Sequence, residues 1–464
     1  MKKIKAIISK IPLSIIYSIP PIVVFFIVLL AYWPGILVSD SLVQWNQVQT
    51  GIFDNWHPFY NTYYIYILTR IWNNPGFVLF IQILIVSFSI GLFFSKITKY
   101  YKVNKVYLFI SSTVISLIPI NYNFAITLLK DTLYSALIIY FMSLILDMIC
   151  NKSFFEKKKN YIYIGFLSLI TMLTRHNGIL LIAVLAIVLI ISFRKEKKLW
   201  LPFAFSIILY LIMTSSTFFS IIKVSEANYS NKYAPISHLM ADFLNSDIEF
   251  TEEELKKLGE YTDIKQLKES YNPYNMDYSI NSQKVDALKE NGKEYLNFGM
   301  KKIFENLGLT IKHYAKLLSF LYSPIPFYNS FTVGMFIETD LWVYEDVYPN
   351  LAENSKIPQL LPTLKTVQSS YQSGNLGIVT MRPSIYIYMS IIFCIILLKI
   401  YKNKKLFLLC LPALCNIISL MPAMPVAMTR YVYSAFLTFY LLVAFMLYVG
   451  YKKIVEERRK NEKK

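Results

Sequence analysis

The sequence predicts an all-α polytopic membrane protein of about ten transmembrane helices. Of its 464 residues, 55% are apolar and 16% are aromatic, and the mean hydropathy is +0.44. Long apolar runs also recur along the chain. A soluble protein of this length could not hide so much apolar surface in one core. Much of that surface is therefore expected to face lipid.

Ten apolar runs approach the length that crosses a bilayer, about 17 to 25 residues. Their centres lie near residues 23, 86, 113, 141, 168, 186, 210, 392, 414 and 441. The first run follows several lysines, as the apolar part of a signal peptide does. It extends from about residue 13 to residue 33 and lacks a small-residue cleavage site, so we expect it to remain as the first helix.

Short basic clusters between these runs account for much of the net charge of +18 and set the orientation. They occupy residues 2–10, 96–105, 152–159, 194–198, 399–405 and 452–464. An even number of predicted spans separates each cluster from the next, so all of them share one side, which the positive-inside rule makes the cytoplasm. Both termini are expected there, in a multi-pass protein of the cell membrane. Such clusters are a topology signal and do not indicate a nucleic-acid partner.

The chain divides into three predicted regions. Residues 1–222 form a transmembrane module with a long first outer loop (34–74), residues 223–383 form an extracytoplasmic and mainly helical domain, and residues 384–464 hold the last spans and a basic cytoplasmic tail. Of the 29 acidic residues, 20 lie within 223–383, which is consistent with the side opposite to the basic clusters.

Local patterns predict further helices outside the spans. Thr251 and Glu254 form a capping-box pattern, and residues 284–304 show helical spacing of their apolar side chains. The run 59–72 is interrupted by Arg70 and is too short to cross. We expect it to lie as an amphipathic helix on the outer membrane surface.

The predicted outer loops hold the polar residues best suited to chemistry. Their segments are Ser39-Asp40, His57-Pro58, Lys130-Asp131, Arg175-His176-Asn177-Gly178 and Thr429-Arg430-Tyr431. These loops meet in one polar site only if the helices bundle.

Asp40 follows the first span and precedes a short polar helix at about residues 41–50. A partly desolvated carboxylate there could act as general base or metal ligand. The alternative is that Ser39 or Asp40 caps that helix. Arg430 follows an apolar turn, residues 421–428, which favours a partnered or phosphate-binding role.

The other charged residues allow two interpretations. Lys130 and Arg175 lie where apolar runs meet the outer interface, and cations at such places often only snorkel. His57 and His176 are either ligands or hydrogen-bonded loop residues. A Cys/His metal site is not expected, because there are four histidines without ligand spacing and no cysteine in the outer region.

Taken together, these residues resemble the GT-C superfamily of membrane glycosyltransferases, and within it uncharacterised bacterial families. The resemblance rests on the Asp after the first span, the first outer loop with two surface helices and a His-Pro, and the Lys-Asp and Arg-His-Asn-Gly turns. It covers most of the chain up to about Leu180, the outer domain more weakly, and the Thr-Arg-Tyr near residue 430. It implies a GT-C-like fold and inverting transfer of a sugar from a polyprenyl-phosphate donor to an envelope glycan, lipid or protein.

Seven residues are therefore expected in the site, with catalytic roles for Asp40 and Asp131 and binding of the substrate or its phosphate by Lys130, Arg175, Arg430, His57 and His176. Asp40 is followed by Ser41 and not by a second carboxylate as in the Asp-Glu versions. This departure leaves open whether a divalent cation, Mg²⁺ or Mn²⁺, takes part.

Three other functions compete with this hypothesis. A polysaccharide polymerase or ligase would also use lipid-linked sugars and outer basic residues. A transporter or flippase is less favoured because the span interiors hold almost no ionisable residues besides Asp147 and no half of the chain repeats. A receptor or scaffold would not depend on Asp40.

Overall fold

The computed structural model of the protein describes residues 11–225, 229–325, 334–338, 348, 351, 354–422 and 424–461. Helices make up 75% of the part of the chain that the structure describes. The described residues contain isolated β-bridges but no strand. The predicted all-α class is confirmed.

The helices of the first part of the chain are α1 (Leu13–Ala31), α2 (Ser39–Thr50), α3 (Phe59–Ile71), α4 (Pro75–Tyr101), α5 (Lys105–Leu117), α6 (Pro119–Ile126), α7 (Lys130–Cys150), α8 (Lys158–Thr174), α9 (Gly178–Ser192), α10 (Trp200–Met213) and α11 (Ser216–Ile221). Asparagine side chains cap two of them. Asn74 accepts a hydrogen bond from the backbone of Gly76 at the start of α4, and Asn104 caps α5 in the same way.

A middle segment, residues 229–325, contains α12 (Tyr229–Leu244), α13 (Glu252–Tyr261), α14 (Ile264–Glu269), α15 (Asp277–Ile280), α16 (Val285–Glu305), α17 (Leu307–Leu317) and α18 (Ser319–Tyr322). The last part contains α19 (Leu361–Gln372), α20 (Gly374–Thr380), α21 (Pro383–Ile400), α22 (Leu411–Leu420) and α23 (Tyr433–Asn461), with 3₁₀ helices at Lys404–Leu409 and Thr429–Val432.

Several helices are long and apolar enough to cross a membrane, as in a multi-pass membrane protein. By length and composition they are α1, α4, α7, α21 and the segment Thr429–Glu456, and α5 with α6 would form a sixth span bent by 69°. The bend follows from Pro119, which holds the preceding Ile118 in an extended conformation. Helices α9, α10 and α22 are apolar but shorter. All ten predicted centres fall within helices, while the count of ten spans stays a prediction.

A close approach between α1 and α4 illustrates how the bundle packs. A Cβ atom added to Gly91 of α4 would lie 2.2 Å from the backbone oxygen of Ser14. Small residues allow helices in membranes to approach this closely. Tyr17 of α1, which is fully buried, hydrogen-bonds to Thr98 of α4 at 2.8 Å farther along the same contact.

The middle segment has an apolar core of its own, which includes Leu239, Phe243, Leu258 and Tyr295. The capping box predicted at the start of α13 is confirmed. The Glu254 amide donates to the Thr251 hydroxyl at 3.2 Å, and the Thr251 amide donates to the Glu254 carboxylate at 3.0 Å. The helix predicted over 284–304 is confirmed as α16.

Helix α3 forms at the run that is predicted to lie on the membrane surface. It lies beside α10, because the Tyr60 hydroxyl donates to the backbone oxygen of Met213 at 2.7 Å. The rings of Tyr63 and Tyr66 stack with centroids 5.7 Å apart. The run is thus a separate helix of 13 residues, too short to span.

Backbone hydrogen bonds join distant parts of the chain at two places that matter for the site. The amide of Ile36 donates to Ile126 and the amide of Leu128 donates to Ile36, both at 3.0 Å. This parallel bridge brings the start of α2 next to the start of α7. A second, antiparallel bridge pairs Asn275 with Val426 and ties the middle segment to the loop before the 3₁₀ helix Thr429–Val432.

Candidate functional site

Asp40 lies in the first turn of α2 and is not its cap. The helix begins at Ser39, and Val38 occupies the N-cap position. Ser41 fixes this turn by accepting a hydrogen bond from the Val38 amide and donating one to the backbone of Leu128. The capping alternative is therefore wrong, and the Asp40 carboxylate is available for other contacts.

Two cations from distant parts of the chain converge on the Asp40 carboxylate. Lys130 Nζ, at the start of α7, donates to Asp40 Oδ2 at 2.9 Å, and Arg430 Nη1, in the 3₁₀ helix Thr429–Val432, donates to the same oxygen at 3.0 Å. The exposed fraction is 19% for the Asp40 side chain, 11% for Lys130 and 8% for Arg430. The ion pairs are thus largely shielded from water and from screening by salt.

His57 completes this cluster as a neutral ring. Its Nδ1 lies 3.3 Å from Lys130 Nζ and 3.9 Å from Asp40 Oδ2. A lysine ammonium can only donate, so Nδ1 accepts and the ring hydrogen is on Nε2. Burial and the charge of Lys130 lower the pKa of His57 to about 3, although Asp40 opposes this shift. His57 is therefore uncharged at neutral pH.

The carboxylate of Asp40 stays ionised in this environment. Burial raises its pKa, but the attraction of Lys130 and Arg430, with a smaller contribution from His57, outweighs burial and holds the pKa well below its usual range. An aspartate with such a low pKa holds cations firmly and accepts a proton poorly.

Arg175 and Asp131 form a second ion pair beside the first. Arg175 Nη1 lies 3.1 Å from Asp131 Oδ1 and donates to the backbone oxygen of Tyr431 at 3.2 Å. The Asp131 side chain is only 1% exposed. Asp131 therefore contacts Arg175 from inside the protein.

Tyr431 links the two ion pairs. The guanidinium carbons of Arg175 and Arg430 lie 4.7 Å and 4.9 Å from the centroid of its ring. Its hydroxyl also accepts a hydrogen bond from Arg430 Nη2 at 3.2 Å. Both arginines are thus held in place by one aromatic side chain.

Six of the seven predicted site residues line one cavity of about 680 Å³; Asp131 does not. These residues are Asp40, His57, Lys130, Arg175, His176 and Arg430. His176 donates from Nε2 to the backbone oxygen of Trp56 at 3.3 Å, so it also connects the first loop to the loop before α9. A cleft of about 770 Å³ on the middle segment contains none of the seven.

Lysine and arginine donors allow this cavity to bind an anion. Three cations, Lys130, Arg175 and Arg430, lie beside three carboxylates: Asp40 and Asp131, which pair with them, and Asp277, which lines the same cavity, so the charges balance. The cations also retain unused donors: Lys130 Nζ has three N–H groups and spends two of them on Asp40 and His57. A phosphate or carboxylate could therefore bind without breaking the cluster.

The residues do not fit a divalent cation. Within the described ranges no group of three or more His, Cys, Asp or Glu side chains could hold a metal ion. Asp40 Oδ2 already binds two cationic side chains, and the Asp131 carboxylate is buried against Arg175. An anion that bound in this cavity would therefore be neutralised by lysine and arginine.

Two ionisable residues of the lining, Tyr431 and Asp277, were not among the predicted site residues. Tyr431 follows Arg430 directly in the sequence, and this adjacency could have indicated that it lies in the site. Asp277 reaches the cavity from α15 of the middle segment, and the sequence offers nothing that sets it apart from the other acidic residues there.

Comparisons with known proteins add one finding. Residues 68–291, under half of the chain, match the model of a family described as a family of unknown function, DUF6020. This range contains Lys130, Arg175 and Asp277 but neither Asp40 nor Arg430. No curated protein matches the chain, and no solved structure does.

Proposed function

We propose that the protein is a membrane glycosyltransferase that moves a sugar from a polyprenyl-phosphate donor to an acceptor of the cell envelope. In this proposal the chain has ten spans, both termini are cytoplasmic, and the cavity opens on the outer face. The observation that carries the proposal is the convergence of Lys130 and Arg430 on Asp40 in one cavity that Arg175 also lines.

The cations suit the leaving group of such a reaction. When the bond between the sugar and the phosphate breaks, negative charge develops on the phosphate oxygen. Lys130 and Arg430 are already held in place by Asp40, so little reorganisation is needed to stabilise that charge. Arg175 lines the same cavity and supplies a third cation.

The size and the remaining lining of the cavity also support a lipid-linked sugar. A volume of about 680 Å³ lies within the range of sites for small molecules, roughly 300 to 1,000 Å³. Apolar side chains, among them Leu180, Leu420 and Pro422, share the wall with the charged groups. Such a mixed wall can contact both a polar sugar phosphate and the first isoprene units of its carrier.

Sugar transfer by the purified protein in lipid vesicles tests the proposal. Wild-type protein would be incubated with radiolabelled sugars on polyprenyl phosphate and with envelope acceptors. We expect transfer by the wild type and a loss of about 100-fold in Lys130→Met and in Arg430→Met, because each removes one preorganised donor. Lys289→Met, on the exposed surface of α16, is the matched control and is expected to transfer normally.

The product distinguishes the competing functions. A single sugar added per acceptor supports the proposal, whereas addition of whole repeat units indicates a polymerase or ligase. Movement of the intact donor across the vesicle membrane, with no new glycosidic bond, would identify a flippase and overturn the proposal. Equal transfer by the wild type and both cation variants would remove this cavity from the reaction.

A further inference from the structure

Two parts of the protein build the wall of the cavity. Asp40, Lys130, Arg175 and Arg430 come from helix ends and turns outside the middle segment. The middle segment contributes a second wall, formed by Ala234, Pro235, Met276, Asp277, Ile280 and Asn281. Asp277 is the ionisable residue of that second wall.

Asp277 is a carboxylate without a counter-ion among the residues that the structure describes. Asp40 pairs with Lys130 and Arg430, but no lysine, arginine or histidine lies within ion-pair distance of Asp277. Its side chain is exposed to the cavity. It is therefore free to contact a substrate.

The backbone around Asp277 is fixed relative to Arg430. The amide of Met276 donates to the oxygen of Pro425 at 2.6 Å, and the amide of Ala427 donates to Tyr274 at 3.3 Å. The amide of Asp277 itself donates to the Asn275 side chain at 2.9 Å. These bonds hold Asp277 at a defined place facing the cavity.

Inversion at the sugar requires a base and a leaving group on opposite faces of the ring. A carboxylate that contacts the cations of the donor phosphate lies on the same face of the sugar ring as the leaving group. Asp40 has that position, since its Oδ2 contacts both Lys130 and Arg430. The base is therefore expected from a different wall, as in inverting glycosidases, where the two carboxyl groups flank the reacting bond.

The acidity of the two carboxylates agrees with this division. Partial removal from water raises the pKa of Asp277, and the negative charge of Asp40 raises it further, while Arg430 lowers it. The pKa of Asp40 is instead held well below its usual range. A base works best when its pKa approaches the working pH, which favours Asp277.

Other charged groups also surround this position. The ionisable residues that line the cavity with Asp277 are Asp40, His57, Lys130, Arg175, His176, Arg430 and Tyr431. Helix α12 packs against α15 and presents Ala234 and Pro235 to the cavity, whereas its described titratable side chains, Lys232, Tyr233, His238 and Asp242, are not part of the lining.

We propose that Asp277 accepts the proton of the acceptor hydroxyl and that Asp40 is a positioning residue that holds Lys130 and Arg430 for the donor phosphate. This inference rests on the proposed glycosyltransferase function. The acceptor oxygen forms a bond to the anomeric carbon as the bond from that carbon to the phosphate oxygen breaks. The electron pair of the broken bond stays on the polyprenyl phosphate, and the acceptor proton moves to the Asp277 carboxylate and then to solvent.

Steady-state kinetics of Asp277→Asn in vesicles tests the assignment. We expect kcat to fall by about 10²- to 10⁴-fold, as for removal of a general base, while binding of unglycosylated polyprenyl phosphate stays at the wild-type level. The wild-type kcat should fall as pH drops through the raised pKa of Asp277, and this acid limb should be absent from the residual activity of the variant. Asp277→Glu should recover part of the rate.

Two further variants separate position from proton transfer. Asp40→Asn should weaken binding of polyprenyl phosphate and keep the acid limb in its remaining activity. Asp286→Asn, an exposed carboxylate on α16, is the matched control and should behave as wild type. Thermal unfolding of each variant verifies that it is folded.

The outcomes distinguish this inference from the function on which it rests. Wild-type kcat in a folded Asp277→Asn variant, with transfer still dependent on Lys130, would overturn the role of Asp277 and leave the glycosyltransferase standing. An acid limb that persists in Asp277→Asn and disappears in Asp40→Asn would assign the base to Asp40. Failure of the wild type to transfer any sugar would overturn both proposals.

Discussion

Arg430 and Asp40 lie 390 positions apart in the sequence, yet Arg430 Nη1 donates to Asp40 Oδ2 at 3.0 Å. This bond joins the first turn of α2 to the 3₁₀ helix before α23, so two distant parts of the chain close the same cavity. Because the contact is an ion pair, protonation of Asp40 or removal of either charge should change the stability of the protein.

The Asp40 cluster should lose its stabilising effect only in strong acid. The pKa of Asp40 in the folded protein lies well below its value in the unfolded chain, about 3.9. The unfolded chain therefore binds the proton first as pH falls. The difference in unfolding temperature between wild type and Asp40→Asn should be constant above about pH 5 and shrink below about pH 4. A difference that already shrinks between pH 7 and pH 6 would contradict the ion pairs.

His57 should make the wild type less stable in mild acid. Its pKa is about 3 when folded and about 6.5 when unfolded, so lowering the pH through this interval favours the unfolded chain, which binds the proton. Between pH 6.5 and pH 5 the loss should be about 2 kcal/mol in the free energy of unfolding. His57→Gln should show a shallower decline, because its amide oxygen can still accept from Lys130 and cannot be protonated in this range. Parallel pH profiles of the two proteins would show that His57 titrates normally.

Replacing only one partner of the buried ion pair between Arg175 and Asp131 should strongly reduce the stability of the protein. Asp131→Asn leaves the Arg175 guanidinium, only 8% exposed, without its charged partner, and such changes typically cost about 3 to 5 kcal/mol. The contacts of Arg175 with Tyr431 offset part of this. Thermal unfolding of Asp131→Asn, Arg175→Gln and the double variant forms a double-mutant cycle. We expect the double variant to lose less stability than the sum of the losses of the two single variants. Losses that simply add would refute the coupling.

Gly91 should tolerate no side chain where α1 meets α4. Gly91→Ala places a Cβ atom 2.2 Å from the Ser14 backbone oxygen, so the two helices must separate. We expect a clear fall in the unfolding temperature. Gly450→Ala is the matched control in α23, because a Cβ there has no atom within 4 Å, and alanine favours a helix by about 0.5 to 1 kcal/mol. Equal behaviour of the two variants would show that the close approach is not required.

The helices could be predicted well because their signals are local. An apolar run or a capping box such as Thr251 and Glu254 acts on neighbouring residues, and both are visible in the sequence. The convergence of Asp40 and Arg430 depends on how the helices bundle, which no local pattern encodes. The sequence identified these residues as candidates for the site, but it could not show that they contact each other.

The roles of adjacent residues were harder to predict. Lys130 and Asp131 are neighbours at the start of α7, and successive residues of a helix point about 100° apart. Lys130 consequently lines the cavity while Asp131 is buried against Arg175. Asp277 carried no signal at all, since its importance comes from where α15 lies and not from its neighbours in the sequence.

Deletion or exchange of the middle segment would break the bridge between Asn275 and Val426. Excising residues 229–325 would leave the backbone oxygen of Pro425 and the amide of Ala427 without their partners, five and three positions before Arg430. Buried backbone groups rarely go unpaired without a loss of stability. The middle segment therefore cannot be exchanged freely. A chimaera that replaces it must reproduce these backbone hydrogen bonds, or the turn that carries Arg430 loses the contacts that hold its conformation.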